Sequence, residues 1–152
     1  NVNSSNCKVR VMVWDTAQHI SLDVSNSVFA ITPVDHQPPV VNIIAPNGGE
    51  SYFAGGNHSI SWSASDSNGV DSISIHYSTD NGAGWTTILP YTHSNPGTYS
   101  WNIPETPSRV ALIRVNAKDL AGNIGTDISN LAFYIRKSPT NIKEMMTIHP
   151  AR

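Results

Sequence analysis

The sequence predicts an all-β protein: a seven-stranded antiparallel β-sandwich at residues 40–136, preceded at residues 1–31 by the last two strands of a second copy. The main observation is an internal repeat, in which residues 111–135 align without a gap to residues 7–31 at a constant offset of 104. That period is too long for a solenoid unit and suits a tandem array of small β-sandwich domains. Seven short segments also alternate apolar and polar residues, and none shows convincing helical periodicity. Ten of the 25 aligned pairs are identical: Arg10/Arg114, Val11/Val115, Asp15/Asp119, Ala17/Ala121, Ile20/Ile124, Asp23/Asp127, Ser25/Ser129, Asn26/Asn130, Phe29/Phe133 and Ile31/Ile135.

The first three predicted strands are residues 40–45, 57–65 and 70–78. The first is a short apolar run that ends at Pro-Asn-Gly-Gly, which is typical of a turn. The other two alternate with a period of two, so one face of each is expected to be buried. Their predicted inward residues are Ile60, Trp62 and Ala64, then Ile73, Ile75 and Tyr77.

The last four predicted strands are residues 85–89, 97–103, 110–118 and 126–136. A tight connection at residues 79–84 leads into the first of them, and residues 90–96 and 104–108 are predicted to be loops. The turn at residues 119–125 joins the last two strands. The predicted inward residues are Tyr99, Trp101 and Ile103, then Ile113, Val115 and Ala117, then Leu131, Phe133 and Ile135.

The repeat also predicts the domain boundaries. Residues 32–39 contain three prolines and are predicted to be an extended interdomain linker, and residues 137–152 a further linker or tail. Residues 1–31 are then the C-terminal strand pair of a preceding repeat. Two strands alone are at best marginally stable. We therefore expect residues 7–31 to pack on the complete domain, on another chain or symmetry mate, or in a dimer.

Composition excludes several classes of function. Charged residues make up only 13% of the chain and the formal net charge is −2, so nucleic acid and anionic membrane surfaces are not expected partners. No run approaches the roughly 18 apolar residues of a membrane span, so membrane insertion is not expected. The single Cys7 excludes an internal disulfide and is expected to be a buried thiol, the alternative being a partner cysteine elsewhere.

Catalytic motifs are not found, so the chain is predicted not to be an enzyme, although its parent protein may be one. There is no Gly-x-Ser-x-Gly elbow, no glycine-rich phosphate loop and no metal-type histidine spacing. Five oxygen-bearing side chains suit calcium at one end of a sandwich, but without the spacing of a calcium loop. Because Asp and Asn in turns usually cap their own backbone, no cofactor is the favoured prediction. These five are Asp66, Asp71, Asp119, Asn123 and Asp127.

Two turns are predicted to be structural. In residues 78–85, which resemble the Asp-box hairpin of sialidase-type propellers, Asp80 is expected to accept turn amides and Gly82 to supply a positive φ. Asp119 and Asn123 are assigned to the turn before the last strand. Ligand contact is the alternative for exposed aromatic rings, which stack on sugars. Trp101 is in register with core residues, which leaves Trp85, Tyr91 and Tyr134 as candidates.

Three motifs in order resemble a known family. They are Pro46–Glu50 followed by Ser59–Trp62, Ile75–Gly82 ending in Trp85, and Ile113–Asp119 with Ala121–Asn123. Together they resemble the immunoglobulin-like and fibronectin type III-like modules of secreted and cell-surface proteins, particularly bacterial and archaeal ones that open with Pro-Asn-Gly-Gly-Glu. The chain departs from these families in two ways, since Ala111 and Cys7 stand where fibronectin type III modules carry a tyrosine, and there is no cysteine pair.

The resemblance implies a noncatalytic, extracellular module in a tandem array. Its implied role is that of a spacer, stabilising or adhesion domain of a larger secreted or surface protein. Two alternatives stay open: a carbohydrate-binding accessory module of a polysaccharide-degrading enzyme, or an accessory domain of a secreted protease. The implied partners are neighbouring domains of the same protein, and polysaccharide or a cell-surface protein.

Overall fold

The computed structural model describes residues 3–138. The chain divides between Asp35 and His36 into two compact units, and each is described by itself. No helix in the described range has the length and apolar character needed to span a membrane.

The first unit contains four short antiparallel strands. They are β1 (Ser4–Cys7), β2 (Arg10–Trp14), β3 (Ile20–Val24) and β4 (Phe29–Ile31). β1 pairs with β4 and β2 pairs with β3. The sequence predicted two strands here, and each is interrupted once: the first is divided into β1 and β2, and the second into β3 and β4. The interruptions face each other at Val9 and Ser25, where the Val9 amide donates to the Ser25 hydroxyl (3.2 Å) and the Ser25 amide to the Val9 carbonyl (2.9 Å). Cys7 is partly buried, with its Sγ 3.8 Å from the Ser4 carbonyl oxygen.

The second unit is a sandwich of two sheets. One sheet has the order β10–β7–β5, and the other has the order β6–β13–β11–β8–β9, with β12 also paired to β11. All pairings are antiparallel except the parallel pair of β6 and β13. The strands are β5 (Val40–Ala45), β6 (Ser51–Phe53), β7 (Asn57–Ser65), β8 (Val70–Ser78), β9 (Thr86–Thr92), β10 (Thr98–Asn102), β11 (Ser108–Asp119), β12 (Ile124–Ile128) and β13 (Phe133–Arg136).

The all-β sandwich is confirmed, and the strand list needs three corrections. The short strand β6 was not predicted, and β9 extends to Thr92, through residues expected to form a loop. The last predicted strand is divided into β12 and β13. Leu131 lies in the gap and is 70% exposed, although alternation placed it inward. Its amide donates to the Asn47 carbonyl (3.3 Å), so this stretch bonds to the segment after β5.

The core lies between the two sheets and follows from the alternation of apolar residues along the strands. Trp101 belongs to it, as predicted, and its ring meets Phe133 edge-on at a centroid distance of 6.2 Å. Close packing of large rings and branched side chains fills the space between the sheets. The buried apolar residues are Val41, Ile43, Ala54, Ile60, Trp62, Ile73, Ile75, Trp101, Ile103, Ala111, Ile113, Val115, Ala117, Phe133 and Ile135.

The strand pairing repeats with the sequence. β2 pairs with β3 through Val11 opposite Asp23, and β11 pairs with β12 through Val115 opposite Asp127. The remaining pairs of the two hairpins also correspond at an offset of 104 residues. β1 with β4 repeats the pairing of β11 with β13 in the same way, because Cys7 opposes Phe29 as Ala111 opposes Phe133.

Candidate functional site

The segment Pro46–Glu50 carries the chain from β5 in one sheet to β6 in the other. It is folded by Glu50, whose two carboxylate oxygens accept the amides of Asn47 and Gly48, each at 2.7 Å. The Asn47 side chain donates to the Ile43 carbonyl (3.0 Å), which fixes the start of the turn. A carboxylate that accepts two backbone amides makes strong charge-assisted hydrogen bonds. Glu50 therefore sets the path by which the first strand changes sheets.

This segment is bonded along its length to the residues just before β13 and to the start of that strand. We call residues 47–54 and 130–136 the parallel clamp, because β6 and β13 run in the same direction. Gly48 has a φ of +132° and an added Cβ would lie 2.5 Å from the Leu131 Cβ, so the approach requires glycine. The clamp bonds, donor first, are Asn130 N to Asn47 Oδ1 (2.7 Å), Leu131 N to Asn47 O (3.3 Å), Gly49 N to Ala132 O (2.9 Å), Tyr134 N to Glu50 O (2.8 Å) and Ala54 N to Arg136 O (2.8 Å).

Two side chains at and just after the end of β12 bond to β5 and to the residue that follows it. Asp127 accepts the Ile43 amide at 2.7 Å. The buried Ser129 hydroxyl donates to the Pro46 carbonyl (3.0 Å) and accepts the Ile113 amide (3.0 Å). The end of β12 and the gap after it thus supply the side chains that bind β5 and the residue that follows it.

The Asp119 turn is closed by its own side chains. Asp119 accepts the Asn123 amide and the Asn123 side-chain nitrogen, both at 2.8 Å. Burial acts to raise the pKa of Asp119, but these hydrogen bonds and two from other turn amides outweigh it, so the pKa lies below its usual value. Asp15 accepts the His19 amide (2.9 Å) and faces the His19 ring (2.7 Å) at the equivalent positions.

The Asp80 turn is likewise bonded internally. The Ser78 hydroxyl donates to Asp80 at 2.6 Å, and the Gly84 amide donates to the same carboxylate oxygen at 2.9 Å. The Ser78 bond, followed by the Gly84 bond, holds the pKa of Asp80 below its usual value. Gly82 has a φ of +87° and its amide donates to the Ser78 hydroxyl at 2.8 Å. The carboxylate of Asp80 is engaged with its own loop.

Comparison with known proteins agrees with this architecture. A family profile described as a bacterial Ig domain matches residues 39–130. The chain belongs to the bacterial Ig domain family.

Comparisons with solved structures and with curated proteins give less specific information than the family profile. The Ig domain chain is similar to the fibronectin(III)-like modules of CbhA from Clostridium thermocellum, with a TM-score of 0.56 and 15% identity over 91% of this chain and 67% of that one. That likeness shows a shared fold. Similarity to murine CRIg is weaker, at a TM-score of 0.38 and 14% identity over 67% of this chain and 99% of that one, and does not establish a common fold. A comparison with curated proteins gives no match.

The three candidate aromatic residues of the Ig domain have different surroundings. The Arg114 guanidinium lies 4.4 Å from the centroid of the Trp85 ring, so one face of this ring is occupied. Tyr91 is exposed on β9. Tyr134 is also exposed and lines a cavity of about 720 Å³ with three cationic side chains, for which no ion pair is found among the described residues. The cavity is lined by Pro107, Ser108, Arg109, Tyr134, Ile135, Arg136 and Lys137.

A polar network crosses the outer face of the Ig domain sheet that contains β11, a feature that strand alternation alone does not reveal. Asn116 accepts from Thr126 at 2.9 Å and donates to Ser74 at 3.1 Å. The His76 ring then lies 3.2 Å from both the Ser74 and Thr87 hydroxyls. Burial first, and Arg114 second, lower the pKa of His76. The outward polar positions were visible in the sequence, but their partners on other strands were not.

The proposed calcium ligands of the Ig domain do not form one cluster. Asp66 accepts the Asn68 amide (2.7 Å), and its carboxylate oxygens approach those of Asp119 within 4.8 Å. Asp71 faces the exposed His93 ring at 3.0 Å, and Asp127 binds β5 as described above. Each carboxylate has a partner within the protein.

Proposed function

We propose that this chain is a noncatalytic, extracellular, load-bearing spacer in a tandem array of Ig-like modules within a larger secreted or surface protein. The observation that carries the proposal is the parallel clamp. The array is supported by the second hairpin at residues 10–24, which has the same strand register as residues 114–128. Secreted or surface location is inferred from the family, since bacterial Ig domains are typically found there.

The clamp suits a module that is pulled at both ends. Tension enters before β5 and leaves after β13, so it acts on opposite ends of the parallel pair β6 and β13. The five clamp bonds then share the load, whereas bonds in a peeled hairpin break one after another. Glu50 holds the segment before β6 in place through its two 2.7 Å bonds.

The noncatalytic part of the proposal agrees with the bonding of the acidic side chains. Ig-like domains are generally noncatalytic modules, and the conserved fold alone does not assign chemistry. Asp80, Asp119 and Asp127 all accept hydrogen bonds from nearby backbone amides. Such carboxylates are committed to structure and not positioned for proton transfer to a substrate.

Single-molecule force spectroscopy on the full chain tests this function. Residues 40–136 should unfold in one discrete step with a contour length of up to about 350 Å, from ~3.6 Å per extended residue. Glu50→Ala should lower the unfolding force, because it removes the support of the clamp. Glu105→Ala is the matched control, because Glu105 is an exposed glutamate that is not part of the five clamp bonds. Gradual extension, or equal forces for the two variants, would reject load bearing.

Carbohydrate binding is the second candidate, and the cavity beside Tyr134 is the observation that favours it. An exposed ring surrounded by Arg109, Arg136 and Lys137 suits a sugar that carries a carboxylate. Such binding would fit an accessory module beside a polysaccharide-degrading enzyme better than one beside a protease.

Affinity electrophoresis in gels that contain a uronic-acid polysaccharide or a neutral glucan tests the second candidate. Retardation should be specific to the acidic gel, lost in Tyr134→Ala and kept in Tyr91→Ala. Equal mobility in both gels and in an empty gel would remove carbohydrate binding at this cavity.

A further inference from the structure

One face of the first unit exposes apolar side chains that its counterpart in the Ig domain buries. We call this the open face. Its side chains are between 43% and 58% exposed, whereas the equivalent residues, 104 positions later, are between 0% and 2% exposed. The open face consists of Val9, Val11, Val13, Phe29 and Ile31, and the equivalents are Ile113, Val115, Ala117, Phe133 and Ile135.

The Ig domain shows what covers such a face. β8 pairs with the edge of β11 that β12 leaves free, so that Ile75 opposes Val115. β6 pairs with the free edge of β13. β5 and β7, with β10, form the opposite sheet. The cover is therefore the set of strands that precedes β11 in the chain, within residues 40–103.

The polar anchors for β5 are also present in the first unit. Asp23 is exposed at the position of Asp127, the residue that accepts an amide from β5. Ser25 stands at the position of Ser129 and accepts the Val9 amide in the same manner. Its hydroxyl donates instead to the carbonyl two residues later, at 3.2 Å. Ser25 can therefore exchange a local acceptor for the carbonyl of an incoming strand.

We propose that the open face binds the six-stranded remainder of an Ig-like module, equivalent to residues 40–103 with strands β5 to β10, and supplied from the position just before Ser4. This inference rests on the tandem arrangement proposed above and names the partner of the first unit. The incoming first strand is held by Asp23 and Ser25, and an incoming strand equivalent to β8 pairs with the free edge of β2. An unpaired strand edge next to an exposed apolar face is a site for strand addition.

A glycine in the Ig domain is replaced by serine in the first unit, and this shows where the partner must differ from residues 40–103. Gly125 lies under the Pro39 carbonyl, and an added Cβ there would be 1.8 Å from that oxygen. The first unit has Ser21 at the equivalent position. The segment that precedes the incoming first strand must therefore pass farther from β3 than Pro39 passes from β12.

The opposite face of the hairpin provides the control. Met12 and Trp14 are exposed there, and their equivalents in the Ig domain are Asn116 and Lys118, which point away from the core. Because residues alternate along a strand, Val11 and Met12 lie on opposite faces. A lysine at position 11 should block the partner, and a lysine at position 12 should not.

A fusion tests the proposal with the full chain intact. A second copy of residues 40–107 is placed directly before Ser4, since Pro107 directly precedes the equivalent Ser108. Hydrogen exchange of the β2 amides that do not bond to β3 should slow by about 100-fold or more relative to the unfused chain, as expected for amides that join a cooperative sheet. Val11→Lys in the fusion should abolish this protection, and Met12→Lys should leave it.

A second fusion guards against the possibility that the added strands do not fit the side chains of the first unit. In it the open face carries the residues of the Ig domain, by the substitutions Cys7→Ala, Val9→Ile, Val13→Ala and Ser21→Gly. Protection of β2 in either fusion supports the proposal, and fast exchange in both overturns it. The unfolding-force test described above reports on residues 40–136, whereas hydrogen exchange of β2 reports on the first unit. If Glu50→Ala leaves the unfolding force unchanged but β2 is protected in a fusion, load bearing is rejected and this inference stands.

Discussion

Replacement of Glu50 by alanine should destabilise the Ig domain through the turn at Pro46–Glu50. The substitution removes the acceptor of two backbone amides, those of Asn47 and Gly48, each bonded at 2.7 Å. A hydrogen bond to a charged group contributes about 1.5–3 kcal/mol. Because Glu50 is only partly buried and water can reach the turn, we expect a total loss of about 2–4 kcal/mol rather than the full sum.

Urea denaturation followed by tryptophan fluorescence measures this loss, since Trp62 and Trp101 are buried in the core. With an m value of about 1.5 kcal/mol per molar urea, the midpoint should fall by about 1.3–2.7 M at unchanged m. Glu50→Gln should lose about half as much stability, because it keeps one carbonyl acceptor. A midpoint shift no larger than that of the exposed Glu105→Ala control would refute the role assigned to Glu50.

Three further predictions concern stability. Gly125→Ala should lower the free energy of unfolding by about 1–3 kcal/mol in urea denaturation, because an added Cβ would lie 1.8 Å from the Pro39 carbonyl oxygen and would displace it. A loss below ~0.5 kcal/mol would contradict that close approach. Ser129→Ala should cost about 1–3 kcal/mol, because it leaves a buried amide and carbonyl without their partner. Ser25→Ala, at the half-buried equivalent position, should cost less, and equal losses would show that the two sites do not differ. The lowered pKa of Asp119 means that its contribution is fully present above the unfolded value near 3.8 and is lost as pH falls through the lower folded pKa. Asp119→Asn should flatten the decline in urea midpoint between about pH 5 and pH 2, and an unchanged decline would show that this carboxyl is not linked to folding.

Alternation of apolar residues was sufficient to predict the sandwich and most of its core. Ile73, Ile75 and Val115 are buried as their positions in the strands required. Leu131 was misplaced because a period of two was extended through the whole of residues 126–136. The alternation is interrupted at Ser129, whose hydroxyl donates to the carbonyl of Pro46, just after β5.

The parallel clamp could not be predicted, because its contacts join residues about 80 positions apart. β6 is only three residues long, too short to show alternation, and its partner is the last strand. Asp127 was considered only as a turn residue or calcium ligand, since nothing in its neighbourhood reveals the Ile43 amide. Trp85 was a plausible ligand platform until its contact with Arg114 was known.

The chain holds two copies of one hairpin with the same strand register. Nuclear Overhauser contacts between opposed Hα atoms measure that register directly, because the Hα atoms of non-hydrogen-bonded pairs are close in an antiparallel ladder. We expect the same pattern of contacts in residues 10–24 and 114–128, with Met12 opposite Leu22 as Asn116 is opposite Thr126. A register shifted by one residue in the first hairpin, or no contacts within it, would contradict the claim.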